Sequence, residues 1–459
     1  MYQIDFHKPI RIYFIGIGGI SMSGLAEILL AEDFTVSGSD RAPSELTRML
    51  EDRGVKVFYG QKEENLTEDI DLVVYTAAIK SDNPELLAAQ KLNIPMLTRA
   101  ELLGQMMKNY ETPIAVSGTH GKTTTTSMIS QILLSADADP TLSIGGIYRP
   151  IGGNIRVGAS ELFVTEACEY TNSFLSFFPK IGIILNIEED HLDFFKDLAD
   201  IRNSFRRFAL LCPADGALII NGDIERCEEL TEGLPCRVIT YGLSSDSDYT
   251  ASQIAYDEAG FPSFTLSCKD TGERRFSLRV HGDHNILNAL AAIALADLLG
   301  LSDEDISAGL SAFTGTDRRF EYKGQVNGVN IIDDYAHHPT EIRATLNAAR
   351  QYPHKRLWCV FQPHTYTRTK AFLEEFASAL SLADEIVLAD IYAAREKDTL
   401  GISSETLQEK IRSHGHSCHY FPSFEAIENY LLKNCTKDDL LITMGAGDIV
   451  KVGENLLQK

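Results

Sequence analysis

The eight cysteines of this 459-residue chain include no Cys-x-x-Cys pair, so reduced thiols are the expectation for them. Cationic side chains are also scarce: 42 Lys and Arg stand against 65 Asp and Glu, a formal net charge of −23. Such a field repels nucleic acid and anionic membrane, so neither is an expected partner. No apolar run is long enough for a bilayer; the longest, "LNALAAIALADLLGL" (287–301), is short and carries Asn288 and Asp297. A secretory leader is not expected either, because "MYQIDFHKPIRIYFIGIGG" has glycines where a targeting core would continue. Low-complexity tracts and internal repeats are missing too. These absences leave a globular, cytoplasmic protein as the expectation. If its substrate is anionic, positive charge must be gathered locally.

What is present is alternation. The length fits two to four domains, and short apolar runs alternate with helical periodicity, the pattern of parallel sheets with crossover helices. A first unit begins at "IRIYFIGIGG" and runs through "FTVSGSD" and "LVVYTAAI" (72–79) to about residue 109. A second opens at "PIAVSG" (113–118) and continues through "ELFVTEA" and "IGIILNI". Between about 237 and 280, "CRVITYGL", "YTASQIAYDE", "PSFTLSC" and "RRFSLRV" read as an antiparallel addition. A third unit carries "GVNIIDDY", "RLWCVFQP", "DEIVLAD" and "DLLITMGAGD".

Two glycine clusters follow strands. In "GIGGISMSG" (16–24), Gly16 permits a tight turn, and Gly18 and Gly19 let backbone N–H groups approach a diphosphate at a helix start. Asp40 ends the next strand, where an acid can accept from ribose hydroxyls. NAD and another nucleotide's diphosphate both fit this cluster. In "PIAVSGTHGKTTTT" (113–126), Val116 stands where the usual phosphate-loop pattern has its first glycine. The chemistry survives that change. Gly118, Thr119, His120 and Gly121 offer converging N–H groups, Lys122 an ammonium, and Thr123 a hydroxyl for a metal ion. Glu166 and His191 follow later strands of the same unit, and parallel strands bring their carboxyl ends to one sheet edge. Asn285 and Asn288 share a helix face, where their amides can pair with an adenine edge; Asp283 or Asn285 can equally cap the helix, and the residues alone favour the cap.

Together "GTHGKTTTT", "EACE" (166–169), "NIEEDHLD" (186–193), "HNILNALAA" (284–292), "GTDRRFEYKG" (315–324), "DDYAHHPTEI" (333–342), "FQPHTYTRTK" (361–370) and "GAGDI" (445–449) resemble the Mur ligases. These are ATP-dependent amide-forming enzymes of peptidoglycan synthesis, and the likeness covers essentially the whole chain. "GIGGISMSG", "DDYAHHPTEI" and "FQPHTYTRT" are most similar to the member that joins L-alanine to UDP-N-acetylmuramate.

The resemblance implies three α/β domains, each on a mainly parallel sheet with flanking helices. Residues 1–109 would be Rossmann-like and hold the UDP-sugar through Gly16, Gly18, Gly19, Ser21 and Asp40. Residues 110–316 would be P-loop ATPase-like with the small antiparallel addition. There Gly118, Thr119, His120, Gly121, Lys122, Thr123 and Thr124 would bind ATP phosphates, Thr123, Glu166 and His191 would surround magnesium, and Asn285 and Asn288 would read adenine. Residues 317–459 would be Rossmann-like and close on ATP and the amino acid. Arg318 and Arg319 would open this domain at the ATP site, one of them reaching the phosphates, and His337, His338 and Arg368 would turn toward the amino acid and acyl phosphate. Lys122, Glu166, His191, Arg319 and His337 form the implied catalytic set, with His337 or His338 taking the amine proton. ATP and magnesium are the implied cofactors, in a monomer or weak homodimer.

The chain departs from the pattern in two places. "EACEY" replaces an acidic "EADES" run, so Cys168 and Tyr170 receive no role. Residues 197–210 contain no lysine, so a carbamylated lysine is not expected there. Two rival readings stay open. One is a recycling ligase that joins a tripeptide to the same UDP-sugar, which typically carries threonine where Gly19 stands. The other is a nicotinamide-dependent dehydrogenase, against which "GTHGKTTTT" speaks.

Overall fold

In a computed structural model describing residues 2–76, 79–244, 246–269, 272–394 and 396–459, the apolar runs quoted above become strands. The chain packs as two compact units. One comprises Met1–Ile187 and Arg202–Thr240, the other Glu188–Ile201 and Tyr241–Lys459.

The first unit opens with a five-stranded parallel sheet. Its strands are β1 (Arg11–Ile15), β2 (Thr35–Asp40), β3 (Lys56–Tyr59), β4 (Leu72–Tyr75) and β5 (Met96–Thr98), in the order β3-β2-β1-β4-β5. In the run 72–79, the strand occupies Leu72–Tyr75, while Ala77 and Ala78 lie outside the described residues. Helices Ile20–Ala31, Glu45–Asp52, Pro84–Lys91 and Arg99–Met107 accompany the sheet. Three of their starts are locally encoded: Ser44 with Thr47 and Thr98 with Glu101 form capping boxes, and Asn83 caps a helix whose first residue is Pro84.

A second sheet follows in the same unit. It holds β6 (Thr112–Ser117), β7 (Thr141–Tyr148), β8 (Gly153–Arg156), β9 (Leu162–Ala167), β10 (Ile181–Ile184) and β11 (Ala217–Asn221), in the order β11-β10-β6-β9-β7-β8. Its pairings are parallel except for β7 with β8. β6 and β10 are almost wholly buried, as strands covered on both faces must be.

Strand β12 (Arg237–Gly242) crosses the boundary between the units. Its last two residues pair in parallel with Tyr249 and Thr250, which corrects the reading of "CRVITYGL" as part of an antiparallel addition. The overlap is confined to the end of β12 and the start of β13, which run in the same direction. From β13 (Tyr249–Tyr256) through β14 (Pro262–Cys268) to β15 (Gly272–Ser277) the pairing is antiparallel, as expected.

The last sheet has β16 (Glu321–Val326), β17 (Val329–Asp334), β18 (Leu357–Phe361), β19 (Glu385–Leu388), β20 (Cys418–Tyr420) and β21 (Leu440–Met444), ordered β16-β17-β21-β18-β19-β20. All its pairings are parallel except the β16–β17 hairpin. That hairpin turns on Asn327-Gly328, both at positive φ, a strong two-residue turn signal. Alternation along the strands divides the core into two layers. Ile332, Cys359 and Phe361 pack on one face, and Ile331, Trp358 and Val360 on the other. Among the described residues, no helix is long and apolar enough to cross a membrane.

Candidate active site

In the first unit, the loop after β1 is pinned by the end of β2. Gly16 and Ile17 N–H donate to Ser39 O, and Gly18 N–H donates to Asp40 Oδ2 at 2.8 Å. Asp40 Oδ1 accepts from Arg41 N–H, so this carboxylate shapes the glycine loop. Gly19 precedes helix Ile20–Ala31. Ser21, in that helix's first turn, accepts from Arg99 Nη1 at 3.0 Å.

The loop after β6 is the most elaborately held. Gly121 takes a left-handed conformation (φ +82°) immediately before helix Lys122–Ser135, a geometry that favours glycine. Asn186, beyond β10, accepts Thr119 N–H on its carbonyl and His120 N–H on Oδ1, and returns Nδ2 to His120 O. Lys122 Nζ donates to Gly118 O, to Thr119 O at 3.1 Å and to Glu169 Oε2 at 2.9 Å. Burial works against that charge, but the Glu169 carboxylate outweighs it and holds the ammonium at about 12. Thr123 Oγ1 donates to Glu166 Oε2 at 3.0 Å, and Gly145 N–H donates to Glu166 Oε1. A Cβ at Gly145 would stand 2.6 Å from Glu166 Oε2, so a larger residue there would push the carboxylate aside. Thr124, one residue on, is half-buried on the same helix. The hydroxyl and carboxylate of Thr123 and Glu166 are hard oxygen donors of the kind magnesium prefers.

His191, the third expected ligand, belongs to the second unit. Its backbone is left-handed (φ +53°), and its N–H donates to Asp190 Oδ1 at 2.7 Å. Asp190 accepts two bonds from Arg368, Nη2 at 2.7 Å and Nε at 3.2 Å. Burial would raise this carboxyl, yet Arg368 overrides it and, with His191, holds it well below the ordinary range. Arg368 Nη1 also donates to His364 Nδ1 at 3.1 Å.

The adjacent histidines have different duties. His338 donates from Nε2 to Glu189 O and accepts Thr340 N–H on Nδ1, so both ring nitrogens serve the loop and helix start. His337 donates from Nδ1 to Tyr335 O at 3.0 Å, which leaves Nε2 as the accepting atom. Burial pushes His337 down to about 4 against the pull of Glu341, so the ring is neutral at pH 7.

The two arginines also part. Arg318 donates from Nε to Asp333 Oδ2 at 2.9 Å and from Nη2 to Gly445 O at 2.7 Å. Arg319 lies over the Tyr335 ring and reaches Glu341 only at 3.9 Å. Asn285 Nδ2 donates to His281 O and Asn288 Nδ2 to Asn285 Oδ1, both side chains buried. Asp283, at the helix start, makes no side-chain cap, so the polar pair lies along the helix face and caps nothing.

Asn186, Glu169, Asp190 and His364 were missed as participants. All four stand inside the quoted segments, but no spacing rule singles them out.

Family models match the chain in order. The Mur ligase family catalytic domain covers residues 11–111, the Mur ligase middle domain 116–296, and the Mur ligase glutamate ligase domain 318–447. The UDP-N-acetylmuramate–L-alanine ligase of Agathobacter rectalis is 62% identical over 459 residues, covering all of both chains. Among solved structures, the UDP-N-acetylmuramate-alanine ligase MurC of Thermotoga maritima superposes with a TM-score of 0.81 at 29% identity, over 98% of each chain. A murein peptide ligase of Psychrobacter arcticus gives 0.73 at 27% identity, again over 98% of each.

Proposed function

This chain belongs to the Mur ligase family and is an acid–amino-acid ligase, and from that premise we propose that it joins L-alanine to UDP-N-acetylmuramate using ATP. The reaction is an early step of peptidoglycan synthesis, and its use of ATP puts it in the cytoplasm. The observation that carries the reading is the gathering of Lys122, Thr123, Glu166 and Glu169 at one sheet edge. The high identity to an alanine ligase over the full length supports the choice of substrates.

In this reading the lactyl carboxylate attacks the γ-phosphorus of ATP. The bond to the β,γ-bridging oxygen breaks, giving an acyl phosphate and ADP. The alanine amine then attacks the acyl carbon, and the tetrahedral intermediate collapses with loss of phosphate. Two anions approach in the first step, so a fixed cation must offset their repulsion and stabilise the charge that develops. Lys122 is that cation. Thr123, Glu166 and His191 are the residues that would hold magnesium, which when bound neutralises charge on phosphate oxygens. The backbone N–H groups of Gly118 through Thr124 cradle the phosphates, and Asn285 and Asn288 face adenine. The UDP-sugar falls to residues 1–109, ATP to 110–316 and the amino acid to 317–459.

Of the two histidines, His337 takes the amine proton on Nε2, since both nitrogens of His338 are engaged. A base pushed down to about 4 is too weak to deprotonate free alanine. It suits the far more acidic ammonium formed once the amine has attacked.

Phosphate release should require magnesium, ATP, UDP-N-acetylmuramate and L-alanine together, because the acyl phosphate must be trapped by an amine. Release assays screened against single amino acids and a tripeptide decide the matter. A strong preference for the tripeptide would move the chain to the recycling ligases, and no turnover with either would sink the proposal.

The arginines give a second test. Arg318→Ala should cost about 1–3 kcal/mol of stability, because buried Asp333 loses its charged donor. Arg319→Ala should leave the thermal midpoint nearly unchanged but reduce turnover about 10²-fold, as loss of a phosphate-directed charge does. Thermal melts and steady-state kinetics on both variants would expose a reversed pattern.

A further inference from the structure

Arg99 stands at the first position of its helix, directly after β5, and its side chain crosses the sheet edge to Ser21 Oγ, 3.0 Å away. That is its only side-chain hydrogen bond among the described residues, and no carboxylate offsets its charge. Burial pulls the guanidinium down, and among the described residues the ionisable side chain that acts on it is Cys168. Burial and neighbouring Glu169 push that thiol up, so it is neutral at pH 7 and supplies no countercharge. A half-buried guanidinium with no carboxylate partner is less stable than a paired one, and a ligand can supply the anion. Lys122 cannot be the partner of such an anion alone, being already tied to Glu169 and two loop carbonyls.

Two anionic groups of the acceptor could reach Arg99, the diphosphate and the carboxylate. Ser21 belongs to the helix that receives the first glycine loop. Cys168 sits beside Lys122 and Glu169, where ATP phosphates are assigned. The anion that must lie between these places is the one that attacks the terminal phosphate while its sugar stays anchored by the diphosphate. A planar guanidinium also matches a planar carboxylate with two parallel bonds. We propose that Arg99 binds the carboxylate of the UDP-sugar acceptor and holds it for attack on the terminal phosphate of ATP, an inference that rests on the ligase reading above.

Calorimetric titration of the full-length protein with UDP-N-acetylmuramate and with UDP-N-acetylglucosamine, which lacks the lactyl carboxylate, tests this. Arg99→Gln should weaken the first by about 10- to 100-fold, the range for a charge-assisted bond, and leave the second within about twofold. Arg99→Lys should fall between wild type and Arg99→Gln. The ligand-free thermal midpoint of Arg99→Gln should not fall, since a half-buried charge without a carboxylate partner has been removed. Equal weakening of both ligands would assign Arg99 to the diphosphate and overturn the proposal, as would no change in either or a lowered midpoint. If the wild-type protein binds UDP-N-acetylmuramate and Arg99→Gln binds it equally well, this inference alone fails. If the wild-type protein does not bind it, the ligase reading fails as well.

Discussion

Lys122→Ala is expected to lower turnover by about 10²–10³, the scale for losing one preorganised charge stabiliser. Two loop carbonyls and Glu169 engage all three donors of the ammonium and hold it at the loop, so one of these bonds is exchanged when a phosphate oxygen arrives. The same bonds complicate the experiment. Glu169 is 2% exposed, and removing its cation leaves a carboxylate in a site that disfavours charge. Part of any activity loss could then come from a disturbed loop. Lys122→Met combined with Glu169→Gln removes both charges at similar volume and should melt close to the wild type. It should still turn over no faster than Lys122→Ala. Single-turnover phosphate release at saturating magnesium, beside thermal melts, separates the two effects. A folded Lys122→Met enzyme with near-normal turnover would reduce "GTHGK" to a structural turn.

The loop was legible because its parts are contiguous: glycine, lysine and threonine between a strand and a helix carry their own geometry. What holds the loop was not. Asn186 lies 66 positions from His120, and its role exists only because β10 runs parallel beside β6. Parallel pairing also explains why Glu166, at the end of β9, could be anticipated as a neighbour of Thr123. The pattern said which strand ends share an edge, but not which side chains meet there. Arg318 and Arg319 mark a different limit. Neighbouring residues of one type look equivalent in a sequence, yet Arg318 adopts φ +63° and turns its side chain to Asp333. Asp40 invites a ligand role by its place at a strand end, and His338 through the resemblance. In the fold Asp40 also ties down the glycine loop and His338 also caps a helix. Polar side chains at strand ends serve the loop and the ligand alike, and spacing cannot separate the two.

Asp190→Ala should be the most damaging single change in the second unit, costing about 3–5 kcal/mol, as expected when a buried ion pair loses one partner. Asp190 and Arg368 have side chains only 8% and 10% exposed and share two hydrogen bonds. The other contact of the guanidinium is His364, which burial, with His337 and Arg368 beside it, pushes down to about 4 and so keeps neutral. Without Asp190 the cation would be stranded, and a guanidinium cannot shed its proton. The reverse change, Arg368→Met, should cost less, since a carboxylate left alone in that site can take up a proton. Asp190→Leu with Arg368→Met should recover much of the loss by replacing the pair with apolar volume. The pH dependence has a definite sign. Asp190 is depressed in the folded chain, so its contribution is complete above its unfolded value of about 4 and fades as pH falls through the folded one. The gap between wild type and Asp190→Ala should therefore be constant from pH 7 to about 5 and narrow below about 4. Urea midpoints at pH 7, 5 and 3 read all of this. Equal losses for Asp190→Ala and Arg368→Met, or a gap undiminished at pH 3, would mean that the two side chains are held by packing and that their charges contribute little.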